Sequence, residues 1–131
     1  MPKEKDTSTP AKKGKRLLIV EDERPLAHAL ELKMMHEGFE THVSATGEDG
    51  LKEALTGKYD LILLDLILPG IDGFTILKEL KEKKSKTQVI VLSNLGQDED
   101  RKKAEEFGAK QYLVKSNVPL ADIVKVVKSI L

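Results

Sequence analysis

Leu61-Ile62-Leu63-Leu64-Asp65 is a run of four aliphatic residues closed by a carboxylate. Four apolar positions in a row leave no side for solvent, as a parallel strand covered on both faces requires. Two further runs share this form. Leu17-Leu18-Ile19-Val20 is closed by Glu21-Asp22-Glu23, and Val89-Ile90-Val91-Leu92 by Ser93-Asn94. Around these three, Glu40-Thr41-His42-Val43-Ser44 alternates and predicts a more exposed strand, and Gln111-Tyr112-Leu113-Val114 predicts a fifth, followed by Lys115-Ser116. Helical periods fill the gaps. They run from Arg24 to Glu37 with Pro25 near the start and Gly38 as a stop, from Glu48 to Leu55 after Thr46 as an N-cap, and from Phe74 to Lys83. Two more run from Asp98 to Phe107 before Gly108 and from Pro119 to Leu131. Strict β-α alternation predicts an α/β fold: a (βα)5 doubly wound, five-stranded parallel sheet of flavodoxin-like architecture.

The 131 residues suit one domain, and 40% apolar content suits a globular core. Twenty-two basic residues cancel 22 acidic ones, so no global field draws the chain to nucleic acid or an anionic membrane. There is no cysteine, hence no disulfide framework or thiolate metal site. No apolar run is long enough to span a bilayer, and Met1–Arg16 lacks the apolar stretch of a secretory signal. A cytoplasmic protein is expected. Residues 1–15, MPKEKDTSTPAKKGK, have no hydrophobic period and five lysines. They are expected to form a disordered basic tail, with residues 16–131 as the folded domain.

Ligand sites in open α/β sheets lie beyond the carboxyl ends of the strands. The residues that close the strands here are Glu21, Asp22, Glu23, Asp65, Ser93 and Lys115. Two carboxylates 4 Å apart repel by about 4 kcal/mol at an effective dielectric of 20. One strand-end carboxylate is ordinarily a solvated turn residue, but a converging set calls for a counter-charge. A hard divalent cation such as Mg2+ suits all-oxygen ligands, and Lys115 adds a further positive charge. A carboxylate whose charge is offset by a metal is a competent nucleophile, and phosphoryl transfer depends chiefly on alignment and charge neutralisation.

The stretches LLIVEDE (17–23), LILLDLILPGIDG (61–73), VIVLSN (89–94) and GAKQYLVKS (108–116) together resemble the receiver domain of two-component response regulators. The spacings of 43 residues from Asp22 to Asp65, 28 on to Ser93 and 22 on to Lys115 fit as well. The resemblance covers about residues 16–131 and implies a set of roles. Asp65 would be the nucleophile and phosphorylation site. Asp22, Asp65 and the Ile67 carbonyl would bind Mg2+ directly, and Glu21 through a metal-bound water. Ser93 and Lys115 would each take a phosphoryl oxygen. Ser93 would move toward the phosphoryl group and vacate space into which Tyr112, the switch aromatic, turns.

The same resemblance implies a signalling phosphoprotein, not a turnover enzyme, though one that assists its own phosphorylation and autodephosphorylation. The phosphoryl donor would be a phosphohistidine on a sensor histidine kinase or phosphotransfer protein, and the chain could act in a phosphorelay. With nothing after Leu131, a single-domain regulator is expected. It would signal to a protein partner through residues 98–131, as a monomer, with phosphorylation-promoted dimerisation left open.

Three departures from the family pattern stand out. Ser116 follows Lys115 where relatives carry proline in a cis peptide, and a cis non-proline bond costs about 3–4 kcal/mol. Asn94 stands where a small residue is usual. Ile67 and Leu95 are apolar where relatives often orient a water. Together Asn94, Ile67 and Leu95 predict slow loss of the phosphoryl group. His28, His36 and His42 share no ligand spacing and read as surface residues, with His28 placed to touch a partner. Two other classes are weighed. A binding module that has abandoned phosphorylation would be expected to lack the acid pair, the nucleophile or the lysine, all present here. A haloacid-dehalogenase-like phosphatase would carry a second Asp where Ile67 stands, and a flavin or dinucleotide site would not place Glu21-Asp22-Glu23 in its first loop.

Overall fold

The structure is a computed structural model, and it describes residues 14–131. The strands are β1 (Arg16–Val20), β2 (Glu40–Ser44), β3 (Leu61–Leu64), β4 (Gln88–Ser93) and β5 (Gln111–Val114). The helices between and after them are α1 (Arg24–His36), α2 (Gly47–Ala54), α3 (Gly73–Glu82), α4 (Asp98–Glu106) and α5 (Leu120–Ile130). Each boundary lies within about one residue of the sequence expectation, because the signals are local ones. Pro25 opens α1. Thr46 caps α2 by accepting from the Asp49 N–H at 3.2 Å. Gly38 and Gly108 take the left-handed conformation (φ 99° at both) that ends the helices before them.

All strand pairs are parallel, in the order β2-β1-β3-β4-β5. Side chains alternate across the sheet. Leu18, Val20, Ile62, Leu64, Val89 and Val91 pack with Ala54, Ile76, Leu77, Leu80 and Ala104 on the face covered by α2, α3 and α4. Leu17, Ile19, Leu61, Leu63, Ile90 and Leu92 pack with Leu30, Met34, Ile123, Val124 and Val127 on the face of α1 and α5. The two faces explain why the central strands carry no polar residue between their end positions. Each fully buried Leu or Ile contributes about 1.5–3 kcal/mol of transfer free energy.

The chain steps from β1 to β2 on one side and then returns to place β3 on the other. The order therefore reverses between β1 and β3, and the crevice at such a switch point is where ligands bind. Asp22 follows the first of these strands and Asp65 the second. Gly14 and Lys15, placed by the sequence in the expected tail, are tied to the sheet. The Gly14 N–H donates to the Gly38 carbonyl at 3.2 Å, and the Lys15 carbonyl accepts from the Glu40 N–H at 2.9 Å. The rest of that expected tail, residues 1–13, lies outside the described residues. No helix among the described residues is long and apolar enough to cross a membrane.

Candidate functional site

Asp65 leaves the end of β3 as a buried carboxylate, 4% exposed. Its backbone N–H continues the ladder by donating to the Val20 carbonyl at 3.0 Å, which fixes its height above the sheet. Both side-chain oxygens are held. Oδ1 accepts from Ser93 Oγ at 2.8 Å and from the Ile67 N–H at 3.1 Å. Oδ2 accepts from Lys115 Nζ at 2.8 Å. The loop after Asp65 can fold this tightly because Gly73, at the start of α3, has no side chain. A Cβ there would lie 2.4 Å from the Asp65 carbonyl oxygen and 2.7 Å from Leu66 Cα. The sequence reading attached no role to Gly73, although the glycine in the quoted motif was the available signal.

Lys115 begins the short 3-10 turn Lys115–Asn117 that follows β5. Its side chain is 8% exposed, and its Nζ lies 2.8 Å from Glu21 Oε1, Glu23 Oε2 and Asp65 Oδ2. Glu21 is itself buried, and its second oxygen accepts from the Glu23 N–H at 3.0 Å. Burial pushes the Glu21 carboxyl above the usual carboxylate range, and the hydrogen bond from Lys115 only partly offsets this. Burial also works against the Lys115 charge. There the hydrogen bonds to Asp65, Glu21 and Glu23 prevail and hold the ammonium more firmly protonated than a free lysine. Both members of this one ion pair thus shift upward. The reason is that Lys115 has three carboxylate partners, whereas Glu21 has one ammonium and a buried position.

Carboxylate oxygens of Glu21, Asp22 and Asp65 lie within 4.8 Å of one another. Asp22 is the exposed member and faces a cleft of about 160 Å³ lined by Asp22, Glu23, Asp65, Ile67, Asn94 and Lys115. Four carboxylates gather around one ammonium, so negative charge is left over. The donor set is all oxygen and open to solvent on the Asp22 side, and it fits a hard divalent cation. The structure therefore brings Glu21, Asp22, Asp65, Ile67, Ser93 and Lys115 into one place. It adds Glu23, whose contact with Lys115 the sequence reading did not assign.

Tyr112 stands apart from this cleft. It is 6% exposed, packs with the α2–α4 face, and its O–H donates to the Leu95 carbonyl. Burial raises the pKa of its phenol above the ordinary value. The Arg101 guanidinium lies 4.8 Å from the ring centroid and donates to the Tyr112 carbonyl at 3.3 Å. The ring is therefore inward, the position that the switch expectation assigns to the phosphorylated form. The Lys115–Ser116 peptide is trans, as are all peptide bonds among the described residues.

The sequence matches the response regulator receiver domain over residues 17–128. The chain belongs to that family. Response regulator ArlR of Staphylococcus aureus is 40% identical over 99 residues, which are 76% of this chain and 45% of that protein. This receiver domain thus spans less than half the length of the curated relatives it matches. Among solved structures, the receiver domain of a Francisella response regulator superposes with a TM-score of 0.81 at 27% identity, over 89% of this chain and 95% of that one. A CheY-like receiver protein of Methanospirillum hungatei gives 0.83 at 25%, over 89% and 93%. The response regulator TrrA of Thermotoga maritima, solved in complex with Mg2+ and a beryllium fluoride, gives 0.77 at 32%, over 89% and 99%. Receiver domains carry a phosphorylatable aspartate and bind Mg2+ at an acidic site, and Glu21, Asp22 and Asp65 form an acidic cluster at the corresponding sheet edge here.

Proposed function

We propose that Asp65 accepts a phosphoryl group from a phosphohistidine on a sensor histidine kinase or phosphotransfer protein. The observation that carries this reading is the double restraint on its buried carboxylate, Ser93 and the Ile67 N–H on one oxygen and Lys115 on the other. A carboxylate held at both ends is oriented before the donor arrives, and orientation is the main protein contribution to phosphoryl transfer. One carboxylate oxygen forms the new O–P bond while the P–N bond to the donor imidazole breaks. The bonding pair leaves with the imidazole nitrogen, which then takes a proton. Lys115 and the Ser93 hydroxyl, now on Asp65, stand beside the transferred group and share its equatorial oxygens. Asp22, Asp65 and the Ile67 carbonyl, with Glu21 beside them, would hold a Mg2+ ion, which would supply charge neutralisation for the transferred group.

The phosphoryl group stays on Asp65 for minutes to hours. Two residues support this. Asn94 lines the cleft and narrows access to Asp65, and Ile67 is an exposed apolar side chain there that offers nothing to aim a water. Leu95 gives no such support, since its side chain packs against the α2–α4 core. The signal leaves through the Tyr112 side of the domain, residues 98–131, toward a protein partner, with cytoplasmic placement following from such a donor. The test is incubation with phosphoramidate, with Mg2+ or with EDTA, followed by intact mass. Wild type gains one phosphoryl group only with Mg2+, and Asp65→Asn gains none. Equal gain in both proteins, or loss of the group within seconds after donor removal, contradicts the reading.

A further inference from the structure

Two of the departures from the receiver pattern, Asn94 and Ser116, meet in the structure. The Ser116 N–H donates to Asn94 Oδ1 at 3.2 Å. A proline at position 116 has no N–H and could not make this bond. The β4–β5 ladder ends at the pair Ser93 and Val114. Asn94 and Ser116 lie just beyond it, so their bond extends the strand connection into the two loops as a side-chain rung.

What those loops carry gives the rung its consequence. Asn94 follows Ser93, which holds Asp65 Oδ1, and Ser116 follows Lys115, which holds Oδ2. Asn94 also precedes Leu95, whose carbonyl accepts from the Tyr112 O–H and whose N–H donates to Ser93 Oγ at 3.4 Å. We propose that Asn94 is a positioning residue. It clamps the Lys115–Ser116 turn to the loop after β4, sets where Lys115 stands against Asp65, and ties that position to the Tyr112 contact. The proposal rests on the reading of Asp65 as the phosphoryl acceptor. In a chain without proline after the lysine, the clamp supplies the rigidity that the ring would give.

Three variants test it. Asn94→Ala removes the acceptor and the bulk, Asn94→Leu removes the acceptor alone, and Asn94→Asp keeps the acceptor. The first readout is amide hydrogen exchange of Ser116 in unphosphorylated protein. A neutral hydrogen bond of about 0.5–1.5 kcal/mol corresponds to about 2–10-fold. Exchange at Ser116 is expected to quicken by that factor in the Ala and Leu variants and to stay slow in the Asp variant. The second readout is phosphoryl gain from phosphoramidate with Mg2+. Ala and Leu are expected to lower the maximal rate by a similar factor without changing the donor concentration for half-maximal rate. Unchanged Ser116 exchange in Ala and Leu overturns the clamp. So does a faster gain in Ala with Leu at the wild-type rate, which would make Asn94 a steric wall. If wild type gains no phosphoryl group, the reading of Asp65 fails, and the exchange data still judge the clamp.

Discussion

Replacing Lys115 with Met removes a cation from inside an acidic pocket, and its effect can be worked from the geometry. Lys115 Nζ contacts Glu21, Glu23 and Asp65 at 2.8 Å each. Glu23 is 57% exposed, so that arm contributes little. The Glu21 and Asp65 side chains are 2% and 4% exposed, and losing their partner leaves buried charge uncompensated. Removing one member of a buried pair costs about 3–5 kcal/mol. Carboxylate oxygens at the 4.8 Å limit of this cluster repel by roughly 3.5 kcal/mol at an effective dielectric of 20. The expected loss in EDTA near pH 7 is therefore about 3–5 kcal/mol, or a Tm lower by about 11–18 °C for a domain of this size. Two conditions should reverse it. Mg2+ should raise the Tm of Lys115→Met more than that of wild type, because the site has gained a net negative charge. Acid should also reverse it, and the sign follows from Glu21. Its folded pKa lies above the unfolded value. The folded state thus binds that proton more tightly, and the associated stability is full below the ordinary carboxylate pKa and is lost as pH rises through the raised one. Without Lys115 this rise is larger, so the deficit should shrink as the pH falls toward the ordinary carboxylate range. Thermal unfolding followed by circular dichroism, with EDTA or Mg2+ across pH, reads all three effects. A Tm within about 2 °C of wild type in EDTA near pH 7 would refute the reasoning, as would a deficit indifferent to pH and Mg2+.

Gly73→Ala should destabilise by about 1–3 kcal/mol in urea unfolding, because its Cβ meets backbone of the Asp65 loop and not a flexible side chain. It should also slow phosphoryl gain by displacing Asp65. Ser93→Ala removes a hydrogen-bond donor to a charged group, worth about 1.5–3 kcal/mol, and should slow phosphoryl gain from phosphoramidate about 10–100-fold while Mg2+ binding is retained. In an absorbance titration, neither of the two tyrosines should ionise at the usual phenol pKa of about 10. Burial, then the hydrogen bond to Glu53 at 2.6 Å, pushes Tyr59 up to about 12, and burial raises Tyr112. Stability from these protonated phenols is present below the unfolded pKa and is lost as pH rises through the folded values. A tyrosinate band that develops fully near the free-phenol pKa would contradict both placements.

The strands were legible in the sequence because a strand covered on both faces must be apolar at every position, and Leu17–Val20, Leu61–Leu64 and Val89–Leu92 are. From the alternation of elements came the parallel sheet, and from the residues closing each strand came the cluster of Glu21, Asp22, Asp65, Ser93 and Lys115. What escaped the sequence depends on contacts between distant segments. Nothing local distinguishes Glu23 from a solvated helix-start residue until Lys115 arrives from 92 positions away. Asn94 and Ser116 read as two separate departures, and only folding turns them into a donor and an acceptor. Arg101 is one charge among many on α4, and its place over Tyr112 is set by how the helix packs on β5. Gly14 and Lys15 have no hydrophobic period, so their backbone bonds to Gly38 and Glu40 leave no trace in the sequence.

The central claim is that Asp65 carries the phosphoryl group, and borohydride trapping tests it most directly. Protein treated with phosphoramidate and Mg2+ is reduced, which converts an aspartyl phosphate to homoserine, and the peptides are sequenced by tandem mass spectrometry. Homoserine should appear at position 65 and be absent from an EDTA control. Homoserine at Asp22 or Asp60 instead of position 65, or a phosphoryl group retained on a serine, threonine or histidine with position 65 unmodified, would contradict the account.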